Sequence, residues 1–149
     1  MVVVQFSNCA LFVDHADSYI ETTWPDGAKA VARPNFQLSD IERAHDLGYG
    51  GDVWQMCLDH EAVHTLVGEL LGAGHSVILH NVAYGDKRKW PPGGLEEEGY
   101  VTGLQRYLNT GRADAMVLGL FEQVRNRHGL YDQQVVRMAR GLLVEIRRP

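Results

Sequence analysis

Asp52-Val53-Trp54-Gln55-Met56-Cys57-Leu58-Asp59-His60-Glu61-Ala62-Val63-His64-Thr65-Leu66-Val67-Gly68-Glu69-Leu70-Leu71-Gly72 is the stretch around which the chain organises itself. Asp52 is a helix-capping residue type, because its side-chain oxygen can accept from the backbone N–H groups of a first helical turn. Gly72 suits the left-handed stop at the other end. No proline interrupts the span, so a helix running from Asp52 to about Leu71 is predicted. Side chains four apart share a helix face. Val53, Cys57, His60, His64, Val67 and Leu71 therefore form one stripe, with two imidazoles set in a row of apolar residues. Glu61 lies one position round, beside Trp54 and Leu58.

The sequence before this helix reads as strands. Val2–Phe6 and Ala10–Asp14 are short runs rich in β-formers. Ser18–Thr23 and Ala28–Arg33 flank Trp24-Pro25-Asp26-Gly27, where proline presets φ and glycine supplies a positive φ for a tight turn. Pro34 ends the sheet region. Ser39-Asp40-Ile41-Glu42 has the pattern of a capping box opening a short helix, closed by the glycines between Gly48 and Gly51. After Gly72, His75–Tyr84 alternates weakly as a strand would, and Gly85–Gly94 reads as a basic, proline-containing loop. Leu95–Asn109, Ala113–Arg127 and Tyr131–Arg147 carry helical periodicity. The expected order is sheet, two helices, one strand, three helices. This is an α+β fold with a small N-terminal antiparallel sheet packed on a mainly helical layer, β-rich over 1–37 and mainly helical over 38–149.

With 149 residues, 45% apolar and 22% charged, the chain has the balance of one globular domain. No apolar run approaches the ~20 residues of a membrane-spanning helix. The N-terminus lacks the basic and apolar regions of a signal peptide. Cys9 and Cys57 imply no disulfide framework, so a reducing, cytoplasmic setting is expected. Residues 1–80 hold 3 Lys/Arg against 11 Asp/Glu, while residues 81–149 hold 11 against 8. The acidic half contains the histidine helix, as a cation site prefers. No basic cluster is long, so a small-molecule or peptide substrate is expected ahead of a nucleic acid.

Two histidines at i and i+4 can present nitrogens to one Zn²⁺, and a glutamate between them can take the proton of a metal-held water. His60-Glu61-Ala62-Val63-His64 has this spacing, and it resembles the zincin metallopeptidases. The resemblance covers this helix and the chain immediately after it. It implies His60 and His64 as zinc ligands and Glu61 as the general base. Asp59 and Ala62 stand where that family usually carries other residues. A catalytic site needs a third ligand, and one branch of the family takes it from a later helix. Leu95-Glu96-Glu97-Glu98 opens such a helix. Glu97 shares a face with Val101, Leu104 and Leu108 and is the expected ligand, although acids in a first turn also stabilise the helix dipole. Cys57, one turn before His60, is a further candidate, and so is simple burial of its thiol.

Together with His60 or His64 and a later acid, His45-Asp46 faintly resembles the HD-domain phosphohydrolases; His15 is the one histidine before that pair, His80-Asn81 is a near miss for a second pair, and Lys87-Arg88-Lys89 would suit a phosphate substrate. Gly48-Tyr49-Gly50-Gly51 lacks the Lys-Ser/Thr of a P-loop, and there is no Gly-x-Ser-x-Gly elbow. The leading expectation is a zinc-dependent, or other divalent-metal-dependent, hydrolase acting on a peptide or amide bond. The alternatives are an HD-like nucleotide phosphohydrolase, and a non-enzymatic interaction or regulatory protein with a structural metal or buried His pair.

Overall fold

The computed structural model describes residues 2–7, 9–34, 36–72 and 94–148, with side chains of the last stretch described from Glu97 onward. Four strands, β1 (Val2–Gln5), β2 (Ala10–Asp14), β3 (Tyr19–Thr23) and β4 (Lys29–Ala32), pair in sequence order. Every pairing is antiparallel, with Val4 opposite Leu11, Leu11 opposite Thr22 and Thr22 opposite Ala30. Side chains alternate between sheet faces, so this cross-strand row turns inward together and all four members are buried. The next inward row places Val13 against Ile20, both buried, while Val3 and Val31 on the other face are exposed. The expected Trp24–Gly27 turn is formed, with Gly27 at φ +86° and its N–H donating to the Trp24 carbonyl at 2.9 Å.

Five helices are described: α1 (Leu38–Asp46), α2 (Val53–Leu71), α3 (Gly94–Thr110), α4 (Ala115–His128) and α5 (Asp132–Ile146). The expected bounds of α2 hold. Asp52 accepts from the Gln55 N–H at 3.0 Å, and Gly72 closes the helix at φ +71°. The capping box at Ser39 does not form. Leu38 already has helical geometry, Gln37 is the N-cap without a side-chain bond, and Ser39 lies inside the first turn where its hydroxyl has no cap to make. The expected strand over 75–84 and most of the basic loop lie outside the described residues.

Helix α2 is the hub. It touches α1, α3, α4, α5 and β2, and from Leu58 to Gly68 every residue is buried. A helix enclosed on all sides needs apolar residues around its whole circumference, which Leu58, Ala62, Val63, Leu66 and Val67 supply. One core cluster joins them to Leu11, Val13 and Ile20 of the sheet and to Val101, Leu104, Leu120 and Leu143 of the other helices. Asp59, His60, Glu61, His64 and Thr65 are polar residues inside this core. Burying such groups costs stability unless each is hydrogen-bonded or paired.

Candidate metal centre

Met56 and His60 lie against Gln105, and His64 lies against Glu97 and Glu98, so α2 and α3 run antiparallel. Both histidines face α3. Their Nε2 atoms are 3.1 Å apart, with ring centroids separated by 4.7 Å and planes inclined at 79°. A Glu98 carboxylate oxygen completes the group, 2.8 Å from His64 Nε2 and 3.1 Å from His60 Nε2. These three atoms form a group able to hold a metal ion.

The outer ring nitrogens determine what the inner ones can be. His60 Nδ1 is 2.8 Å from Gln105 Oε1. The orientation of that amide is fixed, because Gln105 Nε2 sits 3.0 Å from the Met56 carbonyl, which can only accept. Oε1 must therefore be the acceptor for a proton on His60 Nδ1. His64 Nδ1 is 2.9 Å from Glu97 Oε2, again an acceptor. A neutral imidazole carries one N–H. With both Nδ1 atoms donating, both Nε2 atoms present lone pairs to each other and to a carboxylate. Three electron-rich atoms at this separation repel one another unless a metal ion lies among them or a proton sits on a ring or on the carboxylate.

The surrounding charge has the same sign. Among the described residues, Glu97 and Glu98 meet the rings and the charge of Glu61 acts on His64, while Glu98 Oε1 also accepts from Arg43 at 3.0 Å. Without a metal, burial opposes charge on His64. Hydrogen bonds to Glu97 and Glu98 outweigh that, and the ring is pushed up to about 10. Burial likewise raises Glu98, but the two imidazoles reverse this and hold its carboxyl well below the usual range.

Of the expected site residues, His60, His64 and Glu97 come together, and Glu98, whose place on the helix pointed to water, joins them. Glu97 points inward as its periodicity requires and is only 2% exposed, but its carboxylate meets the outer nitrogen of His64. Glu98 faces the inner nitrogens, in place of the expected Glu97. The reason is angular. Glu97 lies in line with Val101 and Leu104 on the face turned to the core, while α2 presents its histidines from one side. Glu98 and Gln105, seven residues apart on one stripe, flank that side. Glu61 is buried, and its negative charge acts on both His64 and Cys57. Cys57 is not in the group. Burial, then Glu61, pushes its thiol up to about 12, and its neighbours are the apolar residues Ala44, Leu47, Val53 and Met56.

The rival His45-Asp46 pair does not join the histidines. Asp46 is bound to Arg106 at 2.7 Å, and the His45 ring stacks over Gly51, where an added Cβ would come within 2.9 Å of Nε2. His15 Nε2 donates to the Ile146 carbonyl at 2.8 Å, on another side of the core. Among the described residues, His60, His64 and Glu98 are the one group of at least three such side chains close enough to share an ion.

Comparison with models of known families finds no match. Searches among curated proteins and solved structures likewise find none. No helix among the described residues is long and apolar enough to cross a membrane.

Proposed function

We propose that the chain binds one divalent transition metal ion through His60 Nε2, His64 Nε2 and the Glu98 carboxylate, and that it is a metal-dependent hydrolase of peptide or amide bonds. The observation that carries this is the fixed direction of both rings, which aims two lone pairs and one carboxylate at a single point. Zinc is the favoured ion, because two imidazoles and one carboxylate match its preference and leave a position for water. Ligand atoms on a tetrahedral ion at ~2.1 Å stand roughly 3.4 Å apart, so the observed 2.8–3.1 Å separations need to open by only a few tenths of an ångström.

A bound ion would polarise a water and the substrate carbonyl. Glu61 is the residue assigned as base. With an ion held by His60, His64 and Glu98, Glu61 would accept the proton of the attacking water as its oxygen bonds to the carbonyl carbon, and would return it to the leaving nitrogen as the C–N bond breaks. This is the division of roles implied by the resemblance of the α2 motif to zincins. The test is hydrolysis of a quenched-peptide and amide panel, run beside nucleoside triphosphates. Cleavage of an amide, lost with chelator and restored by zinc, supports the proposal. Phosphate release alone, or no metal-dependent turnover on any substrate, contradicts it.

One observation favours a second reading. The raised His64 lets protons fill the place of the metal, giving a structural imidazolium held between Glu97 and Glu98. In that case the chain is a non-enzymatic interaction protein, and zinc leaves its melting temperature unchanged.

A further inference from the structure

Gln105 does not stand alone behind His60. Its Nε2 is also 3.1 Å from the Tyr49 hydroxyl, which donates to Asp59 Oδ2 at 2.7 Å. Asp59 is fully buried and receives the Arg147 guanidinium on the same carboxylate, with Gln55 Nε2 donating to its other oxygen at 2.7 Å. Tyr49 comes from the turn between α1 and α2, Gln105 from α3, and Arg147 from the end of α5. Asp59 and His60 are neighbours in sequence but leave α2 about 100° apart. The acid beside the motif therefore faces away from the metal group.

We infer that Tyr49, Asp59 and Arg147 form, with Gln105, a positioning relay that fixes His60 as a donor at Nδ1 and keeps its Nε2 lone pair aimed at the metal; the inference rests on the metal-binding reading of this site. Every link has one sense. Arg147 can only donate, so Asp59 is held as an acceptor. Asp59 then accepts a hydrogen bond from the Tyr49 hydroxyl, and the phenol oxygen accepts from Gln105. The Met56 carbonyl locks the same amide orientation, and Oε1 is left for His60. Burial and then Asp59 raise the Tyr49 phenol above its usual range, so it keeps the proton it donates. Removing any link leaves a buried polar atom without its partner and frees the ring to turn. Tyr49 and Gln105 are positioning residues in this scheme. Neither touches the metal.

The test combines zinc affinity with the tautomer of one ring. Tyr49→Phe removes a hydroxyl and keeps the ring, and Gln105→Leu removes the amide at similar volume. Competition with a chromophoric chelator should show zinc binding weakened ~10- to 100-fold by Gln105→Leu and roughly 10-fold by Tyr49→Phe, the range for orienting partners of metal ligands. The double variant should be no weaker than Gln105→Leu alone, because both act through one hydrogen bond. Independent, multiplying losses would overturn the relay. Long-range ¹H–¹⁵N correlations on the zinc-loaded wild type should show His60 protonated at Nδ1 and zinc-bound at Nε2. The reverse arrangement would also overturn the relay. A wild type that takes up no zinc defeats the metal reading instead, and the metal-free ring then decides the relay. Protonation at Nδ1 supports it, and protonation at Nε2 alone contradicts it.

Discussion

His60 Nε2 and His64 Nε2 face each other at 3.1 Å, while the other nitrogen of each ring is already committed to an acceptor. With a Glu98 oxygen beside them, the pair can hold a metal ion or share protons. The identity of that cation and the groups that hold the rings have consequences for binding, turnover and stability.

Glu98 and Glu97 should behave differently although they are adjacent. Glu98→Ala removes a ligand of the proposed site and should abolish zinc binding at micromolar concentrations. Glu97→Ala removes only the partner of His64 Nδ1 and should weaken binding ~10- to 100-fold. Isothermal titration of the two variants measures both. Equal effects would mean that the acids serve the start of α3 and not the ion.

Glu61→Gln should keep the metal and lose the chemistry. The amide preserves shape but cannot take a proton, so hydrolysis should fall by at least ~100-fold with zinc content unchanged. A variant that loses zinc would instead place Glu61 among the ligands.

The metal-free protein should be more stable near pH 6.5 than near pH 9.5. His64 is raised from 6.5 to about 10 in the fold, so its protonated form stabilises the native state. That contribution is complete below the unfolded value and is lost as pH rises through the folded one. Chelator-treated protein should therefore melt lower at pH 9.5 than at pH 6.5, by at least ~5 °C. Zinc should flatten the dependence by taking the proton's place. Melting curves at the two pH values, with and without zinc, check this.

Gly48 should resist replacement. It sits at φ +88°, and a Cβ there would lie 2.7 Å from Asn109 Cβ. Gly48→Ala should cost about 1–3 kcal/mol through backbone strain alone, before the clash is added. Chemical denaturation measures it. An unchanged midpoint would show that the α1–α2 turn is not held against α3.

Much of this architecture was legible in the sequence. The Asp52 cap, the Gly72 stop and the Trp24–Gly27 turn act locally, through φ preferences and one hydrogen bond each, so they can be read without tertiary context. The inward face of Glu97 was legible too, from Val101, Leu104 and Leu108. What the helical period could not supply is the direction from which α2 approaches α3, and that direction selects Glu98 for the inner nitrogens. Gln105 was the available signal: a glutamine between Leu104 and Leu108, two turns beyond Glu98, with a core position and no apolar reason to be there. The Ser39 capping box failed for a local reason. Leu38 entered the helix first, and Ser39 was carried past the capping position.

Native mass spectrometry of the metal-free chain titrated with zinc tests the central claim most directly. One zinc per wild-type chain and none on the Glu98→Ala variant, with both proteins folded, is the predicted result. Wild-type protein that remains metal-free throughout the titration, or a Glu98→Ala variant that loads zinc as fully as the wild type, would contradict it.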